Sequence, residues 1–593
     1  MQLTSLDWGI ILLFFILTLG VGLWVARSAG KSTTDFFLSG RNMPWWLLGI
    51  SMVATTFSAD TPNLVTDIVR TNGIAGNWVW WAFLLTGMLT VFVYARLWRK
   101  SGVVTDLEFY ELRYSGKEAA FLRGFRALYL GVFFNIMIMS SVCLAAIKIG
   151  GVMLGFSPVE TVLVASVITV IYSSMGGLKG VIITDFFQFI LAMGATFWAA
   201  HYLIDLPQIG SLENLLTHPN VIPKLNFIPD LSQRELLITL FVLPIAVQWW
   251  SVWYPGAEPG GGGYIAQRML SAKDEKNAIW ATMLFNFAHY AIRPWPWILI
   301  ALASLIIFPD LASIQTAFPQ IDPGIIRDDL AYPAMMTLLP AGAIGLVVAS
   351  LIAAFMSTIS SHLNWGSSYV VFDFYQRFIN PSASEKQLVA VGRWSTLLLM
   401  LFSALFALVL SNALQAFQIL LQIGAGTGLL FILRWFWHRI NAYSELTAML
   451  VSFVLAIYFQ VVHVALGFDA IPNDLQFLLS VGITTFAWVG VTLLTKPSDI
   501  ETLKNFVRIT QPGSKGWQTI TDQMSSSELT NNKEGWNVPR GIVCMLVGAF
   551  AIYGALFTTG FFLYGEIRSA SLLGVATLAA FYALWKLSRK LVE

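Results

Sequence analysis

Long apolar segments, separated by short polar connections, run along almost the whole chain. A helix that crosses a membrane needs about 20 mostly apolar residues, and about fifteen segments of the sequence meet that condition. Their centres lie near Phe15, Phe57, Phe83, Phe134, Val167, Ala192, Ala246, Ile292, Phe355, Leu401, Gly424, Leu455, Ala487, Ala551 and Ala580. The pattern predicts an all-α integral membrane protein with about fifteen transmembrane helices.

Composition supports this prediction and narrows the function. Of the 593 residues, 56% are hydrophobic and only 11% are charged, which is more apolar surface than a soluble fold can bury. The net charge of +2 gives no reason to expect a nucleic-acid partner. The two cysteines, Cys143 and Cys544, lie in apolar segments and have neither metal-ligand spacing nor a disulfide framework.

Basic residues concentrate in alternate connections between the apolar segments. These connections contain Arg27, Arg41, Arg96, Arg99, Arg113, Arg123, Arg268, Lys273, Lys276, Arg377, Arg434, Lys496 and Lys586, whereas residues 205–230, 308–332 and 468–474 are acidic or neutral. Because cytoplasmic loops are enriched in Lys and Arg, the pattern predicts an outside N-terminus and a cytoplasmic C-terminus. Residues 496–539, the one sizeable polar region, are then expected to form a cytoplasmic loop.

Residues 353–368 read AAFMSTISSHLNWGSS, an apolar segment rich in hydroxyl groups. On a helix, Ser350, Ser357, Ser361, Asn364 and Ser368 share one stripe. Close packing of helices through small residues would explain that stripe. A site for a monovalent cation would explain it equally well, because neutral oxygens hold such an ion without leaving a net charge when it departs. The pattern leaves both interpretations open.

Two segments contain helix breakers where membrane helices are otherwise expected. Pro62 interrupts residues 53–73, while Pro255, Pro259 and four consecutive glycines interrupt residues 248–263. In membranes, broken helices survive where the freed backbone groups line a cavity or bind an ion. A packed proline kink is the alternative at Pro62. The glycine run is not a phosphate loop, since the Lys-Ser/Thr ending is absent.

Ionisable residues inside the apolar segments are further candidates, because charge is costly in a membrane and usually serves a function. Asp185 and Gln188 follow a Gly-Gly turn, and Asp185 either contributes to a site or pairs with Lys179. His289 and Arg293 share a helix face, and either bind a solute or let Arg293 reach the membrane interface. No nucleophile–base arrangement, HExxH or CxxC occurs, so an enzyme is not expected.

Four motifs carry a resemblance to a known family: DFFLSGRNMPWW at 35–46, GGLKGVIITDFFQ at 176–188, QRMLSAKDEKNA at 267–278 and MSTISSHLNWGSS at 356–368. In this order they resemble the sodium:solute symporter family, whose members include sodium/glucose, sodium/proline and sodium/sialic acid transporters. The resemblance implies a LeuT-type core of two inverted five-helix repeats. The repeats would span residues 45–204 and 236–440, with an extracellular connection at 205–235. Residues 1–44 and 441–593, the latter with four peripheral helices, would lie outside the core.

The resemblance also implies sites for the coupling ion. The sodium site common to the family would use main-chain carbonyls of Ala54, Phe57 and Ala354 and the hydroxyls of Ser357 and Thr358. A second sodium site, found in some members, would use Ser357, Ser360, Ser361 and Asp185. One or two sodium ions would then accompany each solute, and a proton in place of sodium stays open as the coupling ion.

The substrate positions of sugar-transporting members are not preserved, which points away from glucose-like recognition. The aromatic or polar residues beside the breaks are the candidates for solute binding: Thr61, Trp80, Trp81, Gln248, Trp249, Trp253, Gly262, His289 and Arg293. We expect a sodium-coupled symporter that imports a sugar derivative, an organic acid or an amino acid by alternating access. The alternative is a sensor on the same fold. The expected setting is the lipid bilayer of a plasma membrane, most simply a bacterial inner membrane, with a monomer sufficing.

Overall fold

The computed structural model describes residues 3–29, 33–254, 256–410, 413–469, 471–525 and 537–592. Within these ranges the chain is helical, and its extended pairing consists of isolated bridges such as Val252 with Ala425. Eleven helices are long and apolar enough to cross a membrane: Ser5–Gly22, Ile74–Ser101, Gly116–Leu154, Gly177–Ile204, Glu275–Ile307, Ala343–Ile379, Glu385–Ala407, Ala442–Val462, Asn473–Leu494, Val538–Leu563 and Ile567–Arg589. The all-α membrane prediction is therefore confirmed.

These eleven helices do not establish the predicted number of about fifteen transmembrane helices, because four of the apolar segments form shorter or interrupted helices. Residues near Phe57 form Trp45–Thr56 and Asp60–Asn72, and residues near Gly424 form Ala413–Ile423 and Gly428–Leu433. Val167 lies in the first half of a long helix, Pro158–Ile204, that bends at Gly177. The segment near Ala246 ends at the helix Trp249–Ser251. Part of the predicted 496–539 loop, residues 526–536, lies outside the described residues.

The first broken helix consists of Trp45–Thr56 and Asp60–Asn72. Its first half ends because Phe57 leaves helical geometry, with φ −93° and ψ 82°. Pro62 lies in the first turn of the second half. A proline is tolerated there because the amide groups of a first turn have no partner within the helix. The break therefore comes before the proline and takes the backbone at Phe57 out of helical geometry.

The second broken helix consists of Trp249–Ser251, with the helical turns before it, and Gly263–Ser271. Val252 is extended, with φ −106° and ψ 135°, and the Trp253 amide donates to the Gly424 carbonyl at 3.2 Å. Gly260 and Gly261 have φ of 81° and 76°, a conformation that side chains with a Cβ rarely adopt. The glycine run thus forms the predicted break; Pro255 lies outside the described residues.

The kinked helix, Pro158–Ile204, brings two of the sequence motifs together. Its bend at Gly177 has φ 53°, and a Cβ at that position would lie 2.7 Å from the Phe36 carbonyl oxygen. Glycine is therefore required both for the backbone conformation and for the close approach of the chain around Phe36. The bend directs the half of the helix that carries Asp185 against the hydroxyl-rich helix.

We call the hydroxyl-rich element Ala343–Ser368 the serine helix; nearly all of its residues are buried. Its N-terminus is capped by a residue of another helix, Asp7 in the first helix of the chain. One carboxylate oxygen of Asp7 accepts hydrogen bonds from the Gly342 and Gly345 amides at 2.7 and 2.8 Å. These amides have no helical partner, and a negative charge is favourable at a helix N-terminus. Asp7 therefore fixes the position of the serine helix along the bundle.

Candidate functional site

A cavity lies between the two helix breaks. The first broken helix contributes Thr56, Asp60 and Thr61 to its wall, and the segment of the second break contributes Tyr254 and Ala257. Aromatic rings cover much of the remaining surface: Trp80, Phe83, Tyr264, Tyr290 and Phe417. Small-molecule sites are typically apolar and aromatic with a few polar groups that fix orientation. The cavity has that character, with its polar groups at the breaks.

Arg293 is the cation of this cavity and is 2% exposed. Its Nη1 donates to the Thr56 hydroxyl at 3.2 Å, and its Nη2 contacts His289 Nε2 at 3.0 Å. The guanidinium also lies over the Trp297 ring, 5.3 Å from the centroid. No carboxylate of the described residues lies within ion-pair distance of Arg293, and its Nε has no hydrogen-bond partner among them. A buried cation without a carboxylate within ion-pair distance is costly in free energy, so Arg293 is a candidate for binding a ligand in the cavity.

His289 holds Arg293 in place. An arginine can only donate, so His289 Nε2 must accept, and the ring proton belongs on Nδ1. Nδ1 lies 3.0 Å from the Thr56 hydroxyl, which can accept that proton. Thr56 in turn donates to the Val53 carbonyl at 3.0 Å. The chain of hydrogen bonds ties the cation to the first helix break and keeps His289 neutral.

Asp60 supplies a negative charge to the same cavity. It begins the second half of the first broken helix, where the free amide groups favour a carboxylate. The Ser141 hydroxyl, which donates to the Ile138 carbonyl at 2.8 Å, lies 3.4 Å from the Oδ2 of Asp60. Asp60 is not among the residues that the sequence predicts for the solute site. Its position two residues before Pro62, at the start of the new helix, was the available signal.

The structure brings some of the predicted solute-binding residues together and separates others. Thr61, Trp80, His289 and Arg293 line the cavity. Trp81, Gln248, Trp249, Trp253 and Gly262 do not line it. Gln248 donates to the Val79 carbonyl at 2.5 Å, and the Trp253 ring packs edge-on against Phe134. Sequence distance from a break did not indicate which way each side chain points.

The predicted sodium residues lie where the serine helix meets the first break. The Thr358 hydroxyl donates a 2.8 Å hydrogen bond to the Thr55 carbonyl. Ala54, Phe57, Ala354 and Ser357 are all buried in the same region. The Phe57 amide donates to both the Val53 and the Ala54 carbonyls, so the Ala54 carbonyl only shares a donor. In an unbroken helix the Ser58 amide would donate to Ala54, but here it donates to the Thr61 hydroxyl. Carbonyls with spare acceptor capacity and neutral hydroxyls are suitable ligands for a hard monovalent cation.

Two of the residues predicted for a second sodium, Ser361 and Asp185, contact an arginine that the sequence did not indicate. Asp185 accepts from the Ser357 hydroxyl at 2.6 Å and from the Ser51 hydroxyl at 2.5 Å. Arg268 lies beside them, 3.8 Å from the Asp185 carboxylate, and is fully buried. The interpretation of Arg268 as a basic residue of a loop is therefore wrong, because it belongs to the second broken helix. The partner of Asp185 is Arg268 and not Lys179.

Two broken helices that face each other across a shared cavity, with a serine-rich helix against one break, define a membrane transporter of the LeuT type. The chain belongs to the sodium:solute symporter family, whose model matches residues 36–452. It is 26% identical over 507 residues to a sodium/glucose cotransporter of Vibrio parahaemolyticus, covering 81% of this chain and 90% of the relative. It is also 26% identical over 595 residues to sodium/glucose cotransporter 4 of Danio rerio, covering 91% and 84%.

Among solved structures, the fold is similar to that of a Na+-coupled sialic acid symporter in a substrate-bound outward-open state. The TM-score is 0.65 at 23% sequence identity, and the alignment covers 84% of this chain and 99% of the symporter. The predictions of a LeuT-type fold, of sodium as the coupling ion and of symport of a small solute are confirmed. The protein is a transporter and not an enzyme.

Proposed function

We propose that this symporter couples one sodium ion at the first helix break to the uptake of a small solute that carries a carboxylate. The observation that carries the proposal is Arg293, a buried cation that faces the cavity without a carboxylate of the described chain in ion-pair distance. Solute and ion would bind side by side, since Thr55 and Thr358 belong both to the cavity wall and to the ion-binding region.

The proposed sodium ligands are the carbonyl oxygens of Ala54, Phe57 and Ala354 and the hydroxyl oxygens of Ser357 and Thr358. They come from two helices that contact each other through the Thr358–Thr55 hydrogen bond. A cation between the two helices would favour the arrangement in which they lie close together. A ligand changes a conformational equilibrium only through such a difference in affinity between states. Sodium binding would thereby prepare the cavity for the solute.

The proposed solute class follows from the charges of the cavity. A carboxylate bound to the guanidinium of Arg293, whose Nε has no partner among the described residues, would gain a charge-assisted hydrogen bond. Asp60 would accept from a hydroxyl or ammonium group elsewhere on the same molecule. Sugar acids, hydroxy acids and amino acids have both features, whereas neutral sugars lack the carboxylate. The sialic acid that the structurally similar symporter is named for belongs to this class, and glucose does not.

The aromatic walls support a solute with a compact, partly apolar body. Trp80 stacks on Tyr290 with ring centroids 5.8 Å apart, and Phe83 stacks on Tyr254 at 6.0 Å. Paired rings of this kind form rigid walls, because each ring restricts the rotation of its neighbour. The Thr61 hydroxyl accepts from the Ser58 amide and donates to the Thr56 carbonyl, both at 3.3 Å, and a solute would have to replace one of these contacts to bind it.

The experiment is thermal unfolding of the purified protein with a panel of solutes in sodium or in potassium. The panel contains sialic acid, simple sugar acids, hydroxy acids and amino acids, with glucose and mannose as neutral members. A ligand that binds only the folded state raises the unfolding temperature. We expect stabilisation by at least one carboxylate in sodium and a smaller effect in potassium. Stabilisation by neutral sugars alone would contradict the assignment of Arg293.

We further propose that the N-terminus lies outside, the C-terminus lies in the cytoplasm, and the protein works as a monomer in a bacterial inner membrane. The basic connections support the orientation. The proposed repeats, residues 45–204 and 236–440, each begin with one of the broken helices, as inverted-repeat transporters do. Both breaks, the cavity and the proposed ion ligands come from one chain, which supports a monomer as the transporting unit.

A further inference from the structure

Arg268 lies within the group of oxygens that the family resemblance assigns to a second sodium ion. Its Nη2 donates to the Ser361 hydroxyl at 2.6 Å and to the Thr55 hydroxyl at 3.2 Å. Its Nε donates to the Ser51 hydroxyl at 3.3 Å. The side chain is fully buried, so these contacts replace water around the guanidinium.

Asp185 completes this arrangement from the kinked helix. Its Oδ2 is 3.8 Å from the Nη2 of Arg268, and the Ser51 hydroxyl bridges the two charges. Its Oδ1 accepts from Ser357. Both side chains are fully buried, and in such surroundings opposite charges must compensate each other. Asp185 therefore already has a cation, and its negative charge is balanced.

The three serines already have hydrogen-bond partners, and one of those partners is the arginine. Ser361 accepts from Arg268 and lies 2.8 Å from the Thr55 hydroxyl. Ser360 donates to the Ser357 carbonyl of its own helix at 3.1 Å. Of the four residues expected to hold the second ion, Ser357, Ser361 and Asp185 are thus engaged with each other or with Arg268. A sodium ion there would add a charge with no counter-charge to a buried site.

We propose that the guanidinium of Arg268 permanently fills the second cation position, so that this symporter binds a single sodium ion. The inference rests on the proposed function, which places that single ion at Thr358. Arg268 then acts as a residue that sets the ion stoichiometry. The guanidinium contacts Asp185 and Ser361 of the serine helix. A second sodium ion would otherwise make these contacts.

The test is direct binding of radioactive 22Na+ to the purified, monodisperse protein, with sodium as the probe and no solute present. Wild type is expected to bind one ion per chain. Arg268→Gln removes the charge and leaves Asp185 uncompensated, so we expect a twofold increase in bound sodium. The double variant Arg268→Gln/Asp185→Asn should return to the wild-type amount. Arg268→Lys, which keeps the charge, is the matched control and should also bind the wild-type amount.

Asp185→Asn alone keeps the inference testable if Arg268→Gln fails to fold, and it should leave the amount of bound sodium unchanged. Two ions on wild type that fall to one in Asp185→Asn would overturn the inference. So would a folded Arg268→Gln variant that still binds one ion. Loss of the wild-type ion in Thr358→Ala supports the common site independently. If wild type binds no sodium, the proposed function fails. That result can be told apart from a failure of the inference, in which wild type still binds sodium.

Discussion

The hydroxyl of Thr358 donates a 2.8 Å hydrogen bond to the carbonyl oxygen of Thr55, across the contact between the serine helix and the first helix break. The same Thr55 accepts from Arg268 through its own hydroxyl. One residue of the break therefore joins the proposed sodium ligands to the buried ion pair of Arg268 and Asp185. Movement of the first broken helix would alter both contacts together.

Thr358→Ala should remove most of the sodium stimulation of solute uptake. The variant loses one proposed ligand, and loss of one such polar interaction at a buried site costs about 1–3 kcal/mol, or roughly a 5- to 150-fold higher sodium requirement. Uptake by proteoliposomes at increasing sodium concentration measures this shift. Ser350→Ala is the matched control, because Ser350 lies on the same helix and donates only to the Val347 carbonyl in the described contacts. Equal sodium requirements in both variants would contradict the proposed site.

Arg293→Gln should weaken the binding of a carboxylate solute by roughly 10- to 150-fold, because a charge-assisted hydrogen bond contributes about 1.5–3 kcal/mol. Arg293→Lys keeps the charge and should recover part of that loss. The measurement is the concentration of solute that gives half of the maximal thermal stabilisation in sodium. Arg377→Gln is the control, since Arg377 is 45% exposed and pairs with Glu111 away from the cavity. An unchanged affinity of Arg293→Gln for the carboxylate solute would contradict the proposal that the charge of Arg293 binds it.

The proposed orientation predicts which cysteines an impermeant thiol reagent can reach. Ser271, at the end of the second broken helix, is buried, so the exposed neighbour Lys273 is the better position on the cytoplasmic side. Thr316 is exposed in the connection expected outside. In intact cells the reagent should label Thr316→Cys and should label Lys273→Cys only after the membrane is opened. Cys143 and Cys544 are both buried and should give little background. Labelling of both positions in intact cells would contradict the orientation.

Asp7→Asn should lower the thermal stability without changing the sodium requirement. The Asp7 carboxylate accepts from two amides at the N-terminus of the serine helix, and loss of its charge should cost about 1–2 kcal/mol. Thermal unfolding in detergent measures the decrease. Asp310→Asn is the control: Asp310 caps the short exposed helix Leu311–Ala317, where loss of the cap leaves the bundle intact. A similar decrease in the unfolding temperature of both variants would contradict the expectation that Asp7 contributes more to stability than an ordinary helix cap.

The sequence by itself determined the class of protein, the helical fold and the family. Apolar segments of membrane length require helices, because backbone groups in lipid must be hydrogen-bonded within the segment. The breaks were also visible, since proline and consecutive glycines interrupt a helix wherever it packs. Their bounds were less certain: the first break comes at Phe57, before Pro62, because a first turn accepts proline.

Tertiary structure alone decided what the charged and aromatic side chains meet. Arg268 reads as a loop residue in the sequence, and only the packing of the second broken helix against the kinked helix buries it beside Asp185. Likewise, Trp80 lines the cavity while Trp81, its neighbour, does not. The physical reason is rotation: successive helical residues point about 100° apart. Which of them faces a cavity depends on helices that lie hundreds of residues away in the chain.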